Sequence, residues 1–160
     1  MIHPPIQLRN TTLSDLDTLF LFQLDPEANH MAAFTSKNPS DKKAYLEKYS
    51  RLLQEPSVHS QTICSENNIV GSIAKFEIEG QPEITYWINR AYWGKGIATE
   101  ALRLFLEMEP ARPLQARVAF DNTGSQKVLE KCGFVKTGRD SGFANARQQE
   151  TEEFIYELKQ

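Results

Sequence analysis

The sequence predicts an α+β domain on a mixed, mostly antiparallel sheet with one parallel strand pair. Three observations carry that prediction. Residues 60–88 read as consecutive strands joined by short turns, the pattern of an antiparallel meander. Residues 83–120 then read strand, helix, strand at crossover spacing, which makes those two strands parallel. The chain finishes as two further strands, 134–142 and 151–158. A length of 160 residues with 40% hydrophobic content suits one domain, residues 1–160, around one core.

Each element has a local reason. Residues 6–10 alternate and read as the first strand. Ser14 with Asp17 resembles a capping box, and Leu16, Leu19, Phe20 and Leu24 recur at helical spacing after it. Asp25-Pro26 ends that helix, because proline pushes the preceding residue out of the α region. Residues 27–39 read as irregular. Ser40 is placed to cap a second helix whose stripe is Tyr45, Leu46, Tyr49, Leu52 and Leu53, up to Pro56. Strands follow at 60–65 and 69–79 around a Glu66-Asn67-Asn68 turn, and Gly80-Gln81-Pro82 turns into a strand at 83–88. A loop, 89–96, enters a helix at 97–108 with Ala98, Ala101, Leu102, Phe105 and Met108 on its apolar face. Pro110 and Pro113 close it, and Leu114, Ala116, Val118 and Phe120 alternate as the next strand. A short helix at 123–132 stops at Gly133, which suits a left-handed position after a helix.

Composition narrows the function classes. Charged residues make up 24%, with 18 basic against 21 acidic side chains and a net charge of −3. That balance excludes a nucleic-acid binder driven by bulk charge. Aromatics at 10% argue against disorder. Cys64 and Cys132 form no close pair, and His3, His30 and His59 show no ligand spacing. Neither a disulfide framework nor a metal site is expected, and a reducing, cytoplasmic compartment fits. The start, Met1 to Pro5, lacks the cationic and apolar regions of a signal peptide. Apolar clusters such as residues 19–22 are too short to span a membrane.

The most informative stretch is Tyr92-Trp93-Gly94-Lys95-Gly96-Ile97-Ala98-Thr99-Glu100-Ala101. A helix start leaves backbone N–H groups without partners, and a Ser, Thr, Asp or Asn side chain usually serves one. Gly94, Lys95 and Gly96 offer no such acceptor. Two glycines allow close backbone approach, so the anionic oxygens of a pyrophosphate can act as the cap. The competing reading is a plain tight turn between strand and helix. The stretch is not a P-loop, since a Gly-Lys pair followed by Ser or Thr is absent. It also departs from the dinucleotide fingerprint, because Thr99 replaces the third glycine and the expected sheet is not doubly wound.

The run Glu83-Ile84-Thr85-Tyr86-Trp87-Ile88, then Tyr92 to Leu102, resembles the acetyl-CoA-binding motif of GNAT-superfamily N-acetyltransferases. It is most similar to the RimJ/RimL-like branch. A second motif of that branch follows in order, Asn122-Thr123-Gly124-Ser125 and Leu129-Glu130-Lys131-Cys132-Gly133-Phe134. Leu8-Arg9, Asp15-Leu16 and Asp25-Pro26-Glu27 also look like that branch. One departure is Ala91, where the signature often has Gln or Arg three residues before the first glycine. The resemblance implies a GNAT-like single domain with helices on both faces of the sheet. It also implies that strands 83–88 and 114–120 splay apart around the pantetheine of acetyl-CoA. No metal is implied. The cofactor-binding positions carried over are Trp87, Ile88, Trp93, Gly94, Lys95, Gly96, Ile97, Ala98, Thr99, Asn122, Ser125 and Lys131. Asn122 would touch the pantetheine arm, or act as a helix N-cap, or both. Six basic residues (Arg112, Arg117, Lys127, Lys131, Lys136 and Arg139) against Asp121 and Glu130 make the segment 112–139 locally positive. It could meet the nucleotide phosphates, or the lysines could simply be solvated.

Acetyl transfer to nitrogen needs a neutral amine, a polarised thioester and a protonated leaving thiolate. Glu83 is the candidate base. It starts the strand beside the cofactor and shares a face with Thr85 and Trp87, where the aromatic neighbour raises its pKa. The alternatives are a surface carboxylate at a strand edge and proton transfer through water. Ser125 is the candidate acid. It shares the inward helix face with Val128, Leu129 and Cys132, and the superfamily's tyrosine four residues on is Leu129 here. A serine that only serves its own helix start is the competing reading. Cys132 reads as a small core residue. Tyr45, Tyr49, Phe34 and Phe143 are candidates for the acceptor wall. The expected function is transfer from acetyl-CoA to a primary amine, a protein N-terminus or a small molecule, by a monomer or homodimer. No nucleic-acid or membrane partner is expected. The alternative from another class is a non-catalytic acyl-CoA-binding sensor or interaction module.

Overall fold

The computed structural model describes residues 5–160. The readings of the start of the chain and of His3 lie in part outside the described residues. Seven strands form one sheet: β1 (Gln7–Asn10), β2 (His59–Ser65), β3 (Asn68–Ile78), β4 (Gln81–Ile88), β5 (Leu114–Ala119), β6 (Val135–Ala144) and β7 (Gln149–Leu158). Their order is β1-β2-β3-β4-β5-β7-β6, and only β4 and β5 run parallel. Five helices connect them: α1 (Leu16–Phe22), α2 (Pro26–Ala32), α3 (Lys42–Leu53), α4 (Ile97–Met108) and α5 (Thr123–Lys131). The predicted meander, crossover and closing hairpin are all present.

Period-two alternation assigns the two faces of the sheet. Ile73, Ile84, Ile88, Leu114, Ala116, Val118 and Tyr156 turn one way and meet Ile97, Ala101, Leu102 and Phe105 of α4 and Leu129 of α5. Each fully buried Val, Leu, Ile or Phe side chain among them contributes about 1.5–3 kcal/mol, so this face holds the main core. α1 packs on the other face against β3, and α3 packs against α1. There Leu16, Leu19 and Phe20 are buried, and the Tyr45 ring lies 5.2 Å from Phe20 and 4.4 Å from Tyr49. Helices therefore lie on both faces.

Three local expectations are corrected. The capping pair before α1 is Thr12 and Asp15, two positions earlier than Ser14 and Asp17. Thr12 N donates to Asp15 Oδ2 at 2.9 Å. Asp15 is drawn there because it is buried and also accepts from Arg9 (2.7 and 2.8 Å) and Thr62 Oγ1 (3.0 Å). The helix ends at Phe22, so Leu24 lies outside it. The stretch 27–39 is not wholly irregular, since Pro26–Ala32 is α2. Asp25 accepts from Ala28 N at 3.0 Å, and Pro26 occupies the first helical position, where a missing N–H has no cost. Asp25-Pro26 thus stops one helix and starts another. Before α3 the cap is Asp41, which accepts from Ala44 N at 3.0 Å, while Ser40 Oγ is bound to Asn38.

Candidate active site

β4 and β5 share one register pair, Glu83 with Gln115, and then part. Asn89 N donates to Val70 O at 2.8 Å, which phases the antiparallel ladder of β3 and β4. In that phase Glu83, Thr85 and Trp87 turn their backbone groups to β3, and Ile84, Tyr86 and Ile88 turn theirs toward β5. Where β5 has diverged, the amide and carbonyl of Tyr86 face the gap. Ile88 O accepts from Trp93 Nε1 at 2.9 Å, which ties the following loop to the strand end.

That loop carries unpartnered donors. Gly94 and Gly96 take φ of 76° and 78°, a left-handed region that a side chain makes costly. Gly96 is the N-cap of α4, and no side chain caps the helix. Among the described residues, the amides of Lys95, Gly96, Ile97 and Ala98 have no hydrogen-bond acceptor. The positive end of a twelve-residue helix and these amides form an anion cradle at the mouth of the gap.

α5 forms the opposite wall. Asn122 Oδ1 accepts from Ser125 N at 3.3 Å and so caps the helix, while Asn122 Nδ2 donates to Met31 O at 3.4 Å. The Ser125 hydroxyl is not used by the helix. It lies 2.6 Å from the Tyr86 hydroxyl, across the gap. Leu129 is buried in the core. Cys132 Sγ donates to Thr99 O at 3.6 Å, and burial pushes its thiol up.

Glu83 lies on the face away from α4 and α5. It is 4% exposed, and its nearest cation is Arg117 Nε at 3.6 Å. Burial raises its carboxyl above the usual range, Arg117 opposes that rise, and Glu153 adds to it. Arg117 also holds Glu153 at 2.9 Å and Asp140 at 3.5 Å. The expected cause, the neighbouring aromatic ring, is replaced by burial, because the Trp87 indole donates instead to Phe22 O at 3.3 Å.

α2 bridges the parted strands on this face. At its start, Asp25 (3.1 Å) and Glu27 hold Arg90, just after β4. At its end, carbonyls left without partners are taken by distant residues. Ala33 O accepts from Ala146 N at 3.1 Å, His30 O from Arg147 Nε at 2.9 Å, and Thr35 O from Asn145 Nδ2 at 2.7 Å. Arg147 also grips Asp121 at 2.9 and 2.8 Å, beside Asn122.

The structure brings Trp93, Gly94, Lys95, Gly96, Ile97 and Ala98 together at the cradle. Thr99 follows them into α4, Ile88 O is bound to Trp93, Asn122 caps α5 and reaches Met31, and Ser125 meets Tyr86. The structure does not turn Trp87 toward the gap. Lys131 is exposed in the last turn of α5. Four of the six basic residues of 112–139 are engaged elsewhere. Arg112 holds carbonyls of Leu106, Glu109 and Ala111, Arg117 the acids named above, Lys136 the Phe154 ring and Arg139 Glu152. Of the residues expected at the acceptor wall, Tyr45 packs with Phe20 and Tyr49 with Tyr45, while Phe34 and Phe143 are exposed. Sequence reasoning missed Tyr86, Arg90 and the role of Arg117. Strand alternation did mark Tyr86, by placing it opposite Glu83. Among the described residues no cluster of His, Cys, Asp and Glu is arranged to hold a metal, and no helix is long and apolar enough to cross a membrane.

A family model described as an acetyltransferase (GNAT) domain matches residues 6–135. The Bacillus subtilis (strain 168) protein named "Probable N-acetyltransferase YjcK" is 36% identical over 107 residues, 61% of this chain and 59% of that protein. The match thus spans under two thirds of that relative's length. Among solved structures, microcin C7 self immunity acetyltransferase MccE, in complex with acetyl-CoA and AMP, has a TM-score of 0.78 at 20% identity, covering 97% of this chain and 92% of that one. Mycobacterium smegmatis RimJ in complex with CoA-disulfide has a TM-score of 0.76 at 18% identity, covering 96% and 81%. At these identities the two structures establish the shared fold.

Proposed function

This chain belongs to the GNAT acetyltransferase family, and we propose that it moves an acetyl group from acetyl-CoA to a primary amine by direct attack. The observation that carries the reading is the uncapped start of α4, with its free amides, at the mouth of the gap between β4 and β5. Those donors fit a pyrophosphate. Residues 93–98 would hold the phosphates, the backbone of Tyr86 that faces the gap would pair with the pantetheine arm, and Asn122 would stand beside its path. Bound acetyl-CoA supplies the activated acetyl thioester.

The chain's own groups supply the rest. Glu83 takes the proton of the acceptor nitrogen, directly or through water, and its raised pKa brings it toward the working range. Ser125 presents its hydroxyl on the far side of β4, where the thiolate leaves. An α-amine, with a pKa of about 7.7–8.0, asks less of such a base than a lysine at about 10.4. A protein N-terminus and a small amine of low pKa are therefore the acceptors of choice.

The test combines binding with turnover. Acetyl-CoA at 100 times its dissociation constant should stabilise the fold by about 2.7 kcal/mol. A panel of small amines and N-terminal peptides, read by thiol release, should yield at least one acceptor. Stabilisation without release from any acceptor would instead identify an acyl-CoA-binding module.

A further inference from the structure

We infer that Tyr86 is a positioning residue for the departing thiolate: its phenol donates to Ser125 Oγ and aims the serine's own proton into the gap between β4 and β5. The inference rests on the acetyl-transfer reading above.

Four observations carry it. The Tyr86 and Ser125 hydroxyl oxygens are 2.6 Å apart, one from a strand wall and one from the helix after the other strand. The start of α5 does not need the serine hydroxyl, because Asn122 Oδ1 already serves the Ser125 amide. A phenol is a stronger acid than an alkyl alcohol, so Tyr86 donates and Ser125 accepts, which leaves the serine proton free. Burial holds the phenol near a pKa of about 12, so it stays protonated and remains a donor through the neutral range. Alternation along β4 places Glu83 on one side of the strand and Tyr86 on the other. The strand thus separates a group that takes a proton from nitrogen from a pair that gives a hydrogen bond to sulfur.

The step balances. The acceptor nitrogen forms the C–N bond and loses one proton. The nitrogen's proton goes to Glu83; the C–S bond breaks with its electron pair on sulfur, and the thiolate takes its proton from solvent water, to which Glu83 returns one. The Ser125 hydrogen bond stabilises the negative charge on sulfur while that exchange completes.

The experiment is a double-mutant cycle of Tyr86→Phe and Ser125→Ala in the full chain, with acetyl-CoA and an accepted amine. Slow hydrolysis of acetyl-CoA by water serves as an acceptor-independent second readout. Tyr86→Phe removes only an oxygen. It should lower kcat by about tenfold or more while KM for acetyl-CoA stays within about twofold. The double variant should be no slower than Ser125→Ala alone. An acetyl thioester of an aryl thiol, a better leaving group, should shrink both losses. Unchanged kcat in Tyr86→Phe, or losses that multiply in the double variant, would overturn the inference. So would a lowered melting temperature with kcat intact, which marks a purely structural bond. A wild type that binds acetyl-CoA but releases no thiol to any amine or to water removes the acetyl-transfer reading itself. That case is recognised because the unmutated chain is silent.

Discussion

Arg117 stands with its Nε 3.6 Å from the Glu83 carboxylate and shares its guanidinium with Glu153 and Asp140. One cation among three carboxylates leaves the cluster net negative. Glu83, the most buried of the three side chains, therefore gains only part of the stabilisation that a private partner would give.

Glu83→Gln tests both consequences. A carboxyl whose folded pKa is raised weakens the fold as pH climbs through its unfolded value of about 4.3 and on through its folded value. The glutamine variant should therefore melt no lower than wild type at pH 7–8, with Arg117 still held by Glu153 and Asp140. Turnover should fall by about 10²–10⁴-fold if Glu83 is the only base, most at low pH. A pH–rate profile identical to wild type would pass the proton to water or another group.

Gly96→Val places a β-branched residue at φ 78° and crowds the anion cradle. The variant should lose most of the stabilisation that saturating acetyl-CoA confers. Calorimetric affinity and the melting shift check this, and affinity equal to wild type would move the phosphate site off this loop.

Asp15→Asn removes a buried carboxylate that Arg9 holds well below the ordinary range, near a pKa of about 2. Because that pKa is depressed, its stabilisation is present above the unfolded value of about 3.9 and fades as pH falls toward 2. The substitution should cost about 2–3 kcal/mol at pH 7 and much less near pH 2. Denaturant melts at both pH values measure the difference, and an equal cost at both would show that packing, not charge, holds Asp15.

Arg147→Ala severs the grip on Asp121 and the bond to His30 O. The Arg147 side chain is 4% exposed and makes three hydrogen bonds. The loss should lower stability by about 2–3 kcal/mol and loosen α2 first. Hydrogen exchange should rise in residues 26–33 before it rises in β2–β4. Uniform exchange across the chain would mean that α2 is not held separately.

The sequence alone determined what depends on neighbours along the chain. The bounds of α4 were readable because an apolar stripe of period 3.6 begins after two glycines and stops before two prolines. The two-glycine loop was recognisable as an unusual helix start because the absence of a capping side chain is itself local. Misplaced caps at Ser14 and Ser40 show the limit even there. Asp15 is claimed by Arg9 and Thr62 as well as by its own helix, and a local pattern does not register the distant partner.

Tertiary structure decided the chemistry's partners. Tyr86 meets Ser125 across 39 residues of sequence, and Arg117 reaches Glu153 across 36. The first pairing exists because α5 packs on the face to which β4 turns Tyr86, and the second because β7 pairs with β5 and sets Glu153 diagonally beside Arg117 on the other face. Alternation shows which residues share a face, but only the packed strands decide what stands above each face. A carboxylate's pKa and a hydroxyl's direction depend on those neighbours, through burial and through charge over a few ångströms.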